Sequence, residues 1–166
     1  MKKTVLFLIC FSILLGAVCQ TDSIQPPYKK VPIYPPVRLL NTDSATYYTK
    51  ANLPKNKPVL LIVFNPDCDH CQHETEALMQ NIDKFKNVHI VMASFVTLTA
   101  ISAFREKYKL GGHKNIVLAQ DTHYFLLSFY ALRNLPYLAF YNKKKQLIST
   151  FEGPMPVEKV LEELKK

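Results

Sequence analysis

The chain has 166 residues, 48% of them hydrophobic and 20% charged, with a formal net charge of +8 and four cysteines. That length suits a single domain with one core. The lysines are scattered; their one run, Lys143-Lys144-Lys145, reads as a solvated turn, and no basic face interleaved with aromatic residues marks a nucleic-acid partner.

Met1-Lys2-Lys3 is a short basic region, and Val5 to Leu15 is apolar but too short to span a bilayer comfortably. Ala17-Val18-Cys19 then stands before Gln20 as a signal-peptidase site, so residues 1–19 are expected to be a cleaved export signal. Two alternatives place the protein at a membrane: a retained anchor helix, or a lipid on Cys19, against which the bulk of Val18 argues. Cleavage takes away Lys2 and Lys3 and no carboxylate, lowering the charge from +8 to +6. It also takes away Cys10 and Cys19, so Cys68 and Cys71 become the sole cysteines. An exported chain whose only cysteines form a C-x-x-C is not using them as a disulfide framework. A passive bridge across so short a loop gains little chain-entropy stabilisation, which leaves redox chemistry as the leading explanation.

Residues 20–36 hold Pro26, Pro27, Pro32, Pro35 and Pro36 and read as an extended arm or tether, with Tyr28, Ile33 and Tyr34 free to lie on a domain surface. The folded domain is expected over residues 37–166. Val37 to Leu40 suits a short strand, and Ser44 to Ala51 a weak helix or irregular piece. Val59 to Phe64 is a continuous apolar run rich in β-branched residues, as in a strand covered on both faces. Asn65-Pro66-Asp67 breaks it. From Cys71 onward Leu78, Met79, Ile82 and Phe85 recur at helical spacing, with Glu74 and Glu76 early and Lys84 and Lys86 late, the charge order a helix dipole favours. The cysteines therefore fall where a strand feeds a helix N-terminus, and there backbone N–H groups favour a thiolate.

Further on, Val88 to Phe95 suits a strand. Thr97 or Thr99 caps a helix that places Ile101, Phe104 and Tyr108 on one face and stops at Gly111-Gly112. Ile116 to Ala119 suits a strand. Thr122 to Ala131 suits a helix capped by Asp121 or Thr122, its aromatic residues Tyr124, Phe125, Phe129 and Tyr130 assigned to the core. Tyr137 to Tyr141 and Gln146 to Phe151 form a hairpin around Asn142 to Lys145, and Pro156 to Leu164 a last helix. This order implies an α/β sandwich with a mixed central sheet.

Strand, C-x-x-C and helix, followed by an X-Pro that leads into a hairpin and a last helix, resemble the thioredoxin superfamily. The stretches LLIVFNPDCDHC, FREKYKL, IVLAQD and LPYLAFYNKKKQLISTFEG are similar to the exported thioredoxin-like proteins of bacteria, the TlpA-type and cytochrome-maturation reductases. The resemblance implies a thioredoxin-like three-layer sandwich and a thiol–disulfide oxidoreductase whose redox-active disulfide is Cys68–Cys71. Within it Cys68 is the exposed nucleophile and Cys71 the resolving cysteine. Pro136 matches the family's cis-proline, and Leu135 before it is the residue whose backbone binds substrate peptide. No tryptophan precedes the first cysteine. Ile62 stands where thioredoxin carries a buried carboxylate, so Glu74 or water is left as proton acceptor for Cys71. Asp69-His70 replaces Gly-Pro between the cysteines and is expected to tune the potential. An imidazolium at His70 favours the thiolate, as in DsbA, and Asp69 opposes it, which sets roughly −250 to −150 mV.

The implied partners are thiols and disulfides of exported proteins and a membrane or periplasmic electron donor. The protein is expected to act in the periplasm as a monomer, as a reductant, with no cofactor and no nucleic acid. A DsbA-like oxidase or isomerase is the alternative within this chemistry. From another class comes copper or zinc binding through Cys68, Cys71 and His70 or His73, since thiolates with imidazole suit those ions.

Overall fold

The computed structural model describes residues 25–166; the expected export signal at residues 1–19, with Cys10 and Cys19, lies outside the described residues. The centre of the fold is Val59–Val63 (β3), in which every residue is buried. Successive side chains of a strand face opposite ways. Leu60 and Ile62 enter one core, and Val59, Leu61 and Val63 enter a second core on the other face. A fully buried aliphatic side chain contributes about 1.5–3 kcal/mol, which explains why this run contains no polar residue.

His89–Ser94 (β4) pairs parallel with β3, and Ile116–Gln120 (β5) pairs parallel with β4. On the other side Tyr137–Tyr141 (β6) runs antiparallel to β3, and Leu147–Glu152 (β7) antiparallel to β6. Arg38–Asn41 (β1) lies antiparallel to β5, and Tyr47–Thr49 (β2) antiparallel to β1. The seven-stranded mixed sheet has the order β2-β1-β5-β4-β3-β6-β7.

Helices cover both faces. Asp69–Gln80 (α2), Leu98–Lys107 (α3) and Val157–Glu163 (α5) bury Cys71, Leu78, Ile101, Phe104, Val157 and Val160 in the core of Leu60 and Ile62. Phe125–Tyr130 (α4) buries Leu126, Phe129 and Tyr130 in the other core, and Pro27–Lys30 (α1) packs beside it through Tyr28. The result is the expected three-layer α/β sandwich. Because β3, β4 and β5 run parallel, their C-terminal ends share one pole of the molecule and their N-terminal ends the other.

Four local expectations need correction. The Pro-rich segment from residue 25 to 36 is not an extended tether: Pro27–Lys30 is helical, Ile33 bridges Gln146, and Tyr34 is fully buried. Its ring packs edge-on against Tyr141 with centroids 5.1 Å apart, and burial of that large surface holds the segment down. Ser44 to Ala51 supplies strand β2 and then a 3₁₀ turn at Lys50–Asn52, because Tyr48 is buried against the sheet. Helix α3 ends before Gly111-Gly112; Lys109 takes the left-handed conformation at φ 54°. Helix α4 starts later than Thr122, since Asp121 to Tyr124 form a turn in which Asp121 Oδ2 accepts the Leu126 N–H at 2.8 Å. Tyr124 consequently lies outside the core and is exposed.

Candidate active site

Beyond β3, Phe64 is still buried, and the chain then turns at Asn65-Pro66-Asp67. The Asn65 side-chain oxygen accepts the Asp67 N–H at 3.0 Å, and its carbonyl accepts the Cys68 N–H at 3.1 Å. This local Asx geometry delivers Cys68 to the N-cap of α2, where its sulfur accepts the Cys71 N–H at 3.4 Å. Cys68 is half-buried; Cys71, one turn on, is 1% exposed and belongs to the core. Burial and the contact with Cys68 push the Cys71 thiol up to about 12, with a smaller opposing contribution from the backbone of Asn65.

The loop before β6 closes over the first cysteine. The Cys68 thiol donates to the Leu135 carbonyl at 3.7 Å, and the Leu135–Pro136 bond is cis. Leu135 packs against both cores, and the Pro136 carbonyl accepts the Gly153 N–H at 2.8 Å. So Cys68, Cys71, Leu135 and Pro136 come together at the C-terminal pole of the parallel strands. Asp69 and His70 lie in the first turn of α2, both exposed to solvent.

Glu74 follows Cys71 by three residues on the same helix face and is buried. Its Oε2 accepts the Met155 N–H at 2.8 Å. Burial raises the Glu74 carboxyl above the usual carboxylate range, and its charge adds to the upward push on Cys71. Ile62, in the strand position without a carboxylate, is 2% exposed. The helix therefore supplies the acidic group beside the buried thiol. Gln72 was not anticipated from sequence: its Nε2 donates to the Pro66 carbonyl at 2.8 Å, and its Oε1 accepts from Lys107 at 3.2 Å and Tyr108 at 3.4 Å. Lys107 ends α3 and Tyr108 follows it, both out of range of any local pattern.

His70 and His73 are exposed while Cys71 is buried, and among the described residues no three His, Cys, Asp or Glu side chains converge as a ligand set.

A family model for the thioredoxin-like domain matches residues 48–166. The chain belongs to the thioredoxin-like family. No curated protein matches this thioredoxin-like chain. Solved structures similar to it include a secreted Mycobacterium tuberculosis disulfide oxidoreductase homologous to E. coli DsbE, with 19% identity, a TM-score of 0.65, and coverage of 78% of this chain and 95% of that one. StoA from Bacillus subtilis is 20% identical with a TM-score of 0.60, over 78% of this chain and 97% of its own. The pneumococcal exposed lipoprotein thioredoxin from Streptococcus pneumoniae is 22% identical with a TM-score of 0.58, over 77% of this chain and 98% of its own. At these identities the likeness is one of fold. No helix among the described residues of the thioredoxin-like chain is long and apolar enough to cross a membrane.

Proposed function

We propose that this thioredoxin-like protein is an exported thiol–disulfide oxidoreductase that reduces disulfides of other exported proteins through Cys68 and Cys71. The observation that carries the reading is the asymmetry of the pair: a half-buried sulfur at a helix N-terminus against the Leu135 carbonyl, and a buried thiol with a raised pKa behind it. The Cys68 thiolate attacks a substrate disulfide, forms a mixed disulfide and expels one substrate thiolate. Cys71 gives its proton to Glu74 and attacks the Cys68 sulfur. The second substrate thiol leaves, the two electrons of the pair pass to the substrate, and Cys68–Cys71 becomes a disulfide. A membrane or periplasmic donor reduces it again. Leu135 offers its backbone to the substrate strand beside Pro136.

Residues 1–19 act as the export signal in this reading, and the basic start and apolar stretch of the sequence support it. So does the company the fold keeps: one similar protein is described as secreted and homologous to DsbE, another as an exposed lipoprotein.

The test traps the intermediate. With Cys71→Ser, a disulfide-bonded protein substrate is expected to accumulate covalently on Cys68, and with Cys68→Ser no adduct forms. Turnover that survives in Cys71→Ser overturns the assigned roles. In the reduced parent, mild alkylation followed by peptide mapping is expected to label Cys68 well before Cys71. Equal labelling counts against the reading.

A further inference from the structure

The lysines are scattered along the sequence, and the fold gathers them. Asn56 to Pro58 leads into β3, His89 opens β4, Lys114 and Asn115 lead into β5, and Asn142 to Gln146 turn between β6 and β7. All of these lie at the N-terminal pole of the parallel strands, and the chain ends there too. Eleven lysines and no aspartate or glutamate line the adjoining hollows at this pole. The hollows share Pro58, Lys57 and Lys143, so the charged surface is continuous.

A few of these cations are spoken for. Lys145 is fixed by the carbonyls of Pro54 at 2.9 Å and Lys57 at 2.6 Å. Lys84 pairs with Glu158, Lys86 with Asp83 and Lys166 with Glu163, through exposed contacts that are weak in water. The others, among them Lys55, Lys57, Lys114, Lys143, Lys144 and Lys165, have no carboxylate within 4.0 Å among the described residues. Like charges held this close cost stability through mutual repulsion, and a complementary surface recovers that cost.

We propose that this pole is a docking face for an anionic lipid bilayer. Three features favour a bilayer over a nucleic acid or an acidic protein. Every side-chain ammonium here is lysine, a point charge on a flexible stem, and no arginine offers the planar fork that reads one fixed phosphate or carboxylate. No aromatic Phe, Tyr or Trp lines these hollows for base stacking. The cations come from loops and a chain end spread over a whole pole, which matches a fluid, extended array of headgroups. The sheet stands between this face and the cysteines: β3 alone, five residues long, adds about 16 Å. A docked molecule therefore presents Cys68 away from the lipid.

Sedimentation of the full chain with vesicles tests this. The readout is the partition onto vesicles containing about 30% phosphatidylglycerol, divided by that onto pure phosphatidylcholine. The apolar stretch of residues 1–19 cancels between the two vesicle types, and Lys2 and Lys3 are common to every variant, so the comparison of variant with parent isolates the pole. The parent ratio is expected to be large, and to fall toward one in about 0.5 M salt. Combining Lys57→Glu, Lys143→Glu and Lys144→Glu is expected to lower the partition onto the anionic vesicles roughly 100-fold. The charge-matched combination of Lys29→Glu, Lys30→Glu and Lys107→Glu, away from this pole, should retain it. Circular dichroism melting establishes that each variant is folded. A parent ratio near one, or an equal fall in the charge-matched control, overturns the proposal. It also fails if a duplex DNA of about 20 base pairs or poly-glutamate, in the same buffer, binds the parent more tightly than the anionic vesicles do.

Discussion

Replacing Glu74 by glutamine keeps an oxygen for the Met155 amide and removes the carboxylate proposed to take the Cys71 proton. Resolution of the mixed disulfide should then slow by about 100-fold, and stopped-flow quenching of a trapped adduct measures it. In the parent the rate should fall at low pH as the Glu74 carboxylate protonates, and in Glu74→Gln that limb should vanish. The stability effect has the opposite sign. A carboxyl whose folded pKa is raised contributes stability that is present below its unfolded value and is lost as pH rises through the folded value. At neutral pH the variant is therefore expected to be more stable, by denaturant titration, while turning over more slowly. The dipeptide Asp69-His70 is exposed, so the tuning proposed for it acts through screened charges. His70→Ala should lower the reduction potential by roughly 15 to 60 mV and Asp69→Asn should raise it, as read in glutathione buffers. If both stay at the parent value, the helix terminus alone sets the chemistry.

Strand β2 pairs with β1 and is also tied by a buried polar pair. The Tyr48 hydroxyl and His89 Nε2 are 2.8 Å apart, which ties β2 to the start of β4 across the sheet. Burial, with Lys145 and Lys57 nearby, lowers the His89 pKa to about 4 from 6.5. The native ring therefore stays neutral while the unfolded ring takes a proton. Stability should be level above pH about 6.5 and decline as pH falls toward 4, by up to about 3 kcal/mol. His89→Phe should flatten that window in urea titrations at a series of pH values. This pair shows where sequence stops being informative. Tyr48 lies in a stretch whose local pattern suits a weak helix or irregular piece, and pairing with β1 together with a partner 41 residues away makes it a strand. The same holds for Gln72 with Tyr108 and for Glu74 with Met155. By contrast β3 and the C-x-x-C turn feeding α2 are legible, since an apolar run, an Asx turn and a helical period are all local signals, but the helical spacing expected to run on through Ile82 and Phe85 breaks: α2 ends at Gln80 and Ile82–Phe85 is a separate 3₁₀ turn. The gathering of the lysines was not legible, because the topology alone brings those turns to one pole.

The described part of the chain folds as one unit that starts earlier than its composition suggests. Tyr34 sits fully buried against Tyr141, so Tyr34→Ala should cost about 3–5 kcal/mol in urea unfolding, a core-sized loss from a segment that composition marks as a linker. A cost within about 0.5 kcal/mol, the range of surface substitutions, counts against a core role. The same segment pairs with the chain beside it: the Leu147 N–H donates to the Pro32 carbonyl and the Tyr34 N–H to the Lys145 carbonyl, each at 2.8 Å. Those bonds occupy main-chain groups at the outer margin of β7, the last strand of the sheet. An uncovered margin of that kind is a template on which a second chain can lay a strand. The prolines on either side have no N–H to extend such pairing outward. The segment thus works as a selvedge at the start of β7, where it keeps the sheet from fraying or knitting to a neighbour. A chain trimmed to begin at Val37 loses that finish and should self-associate.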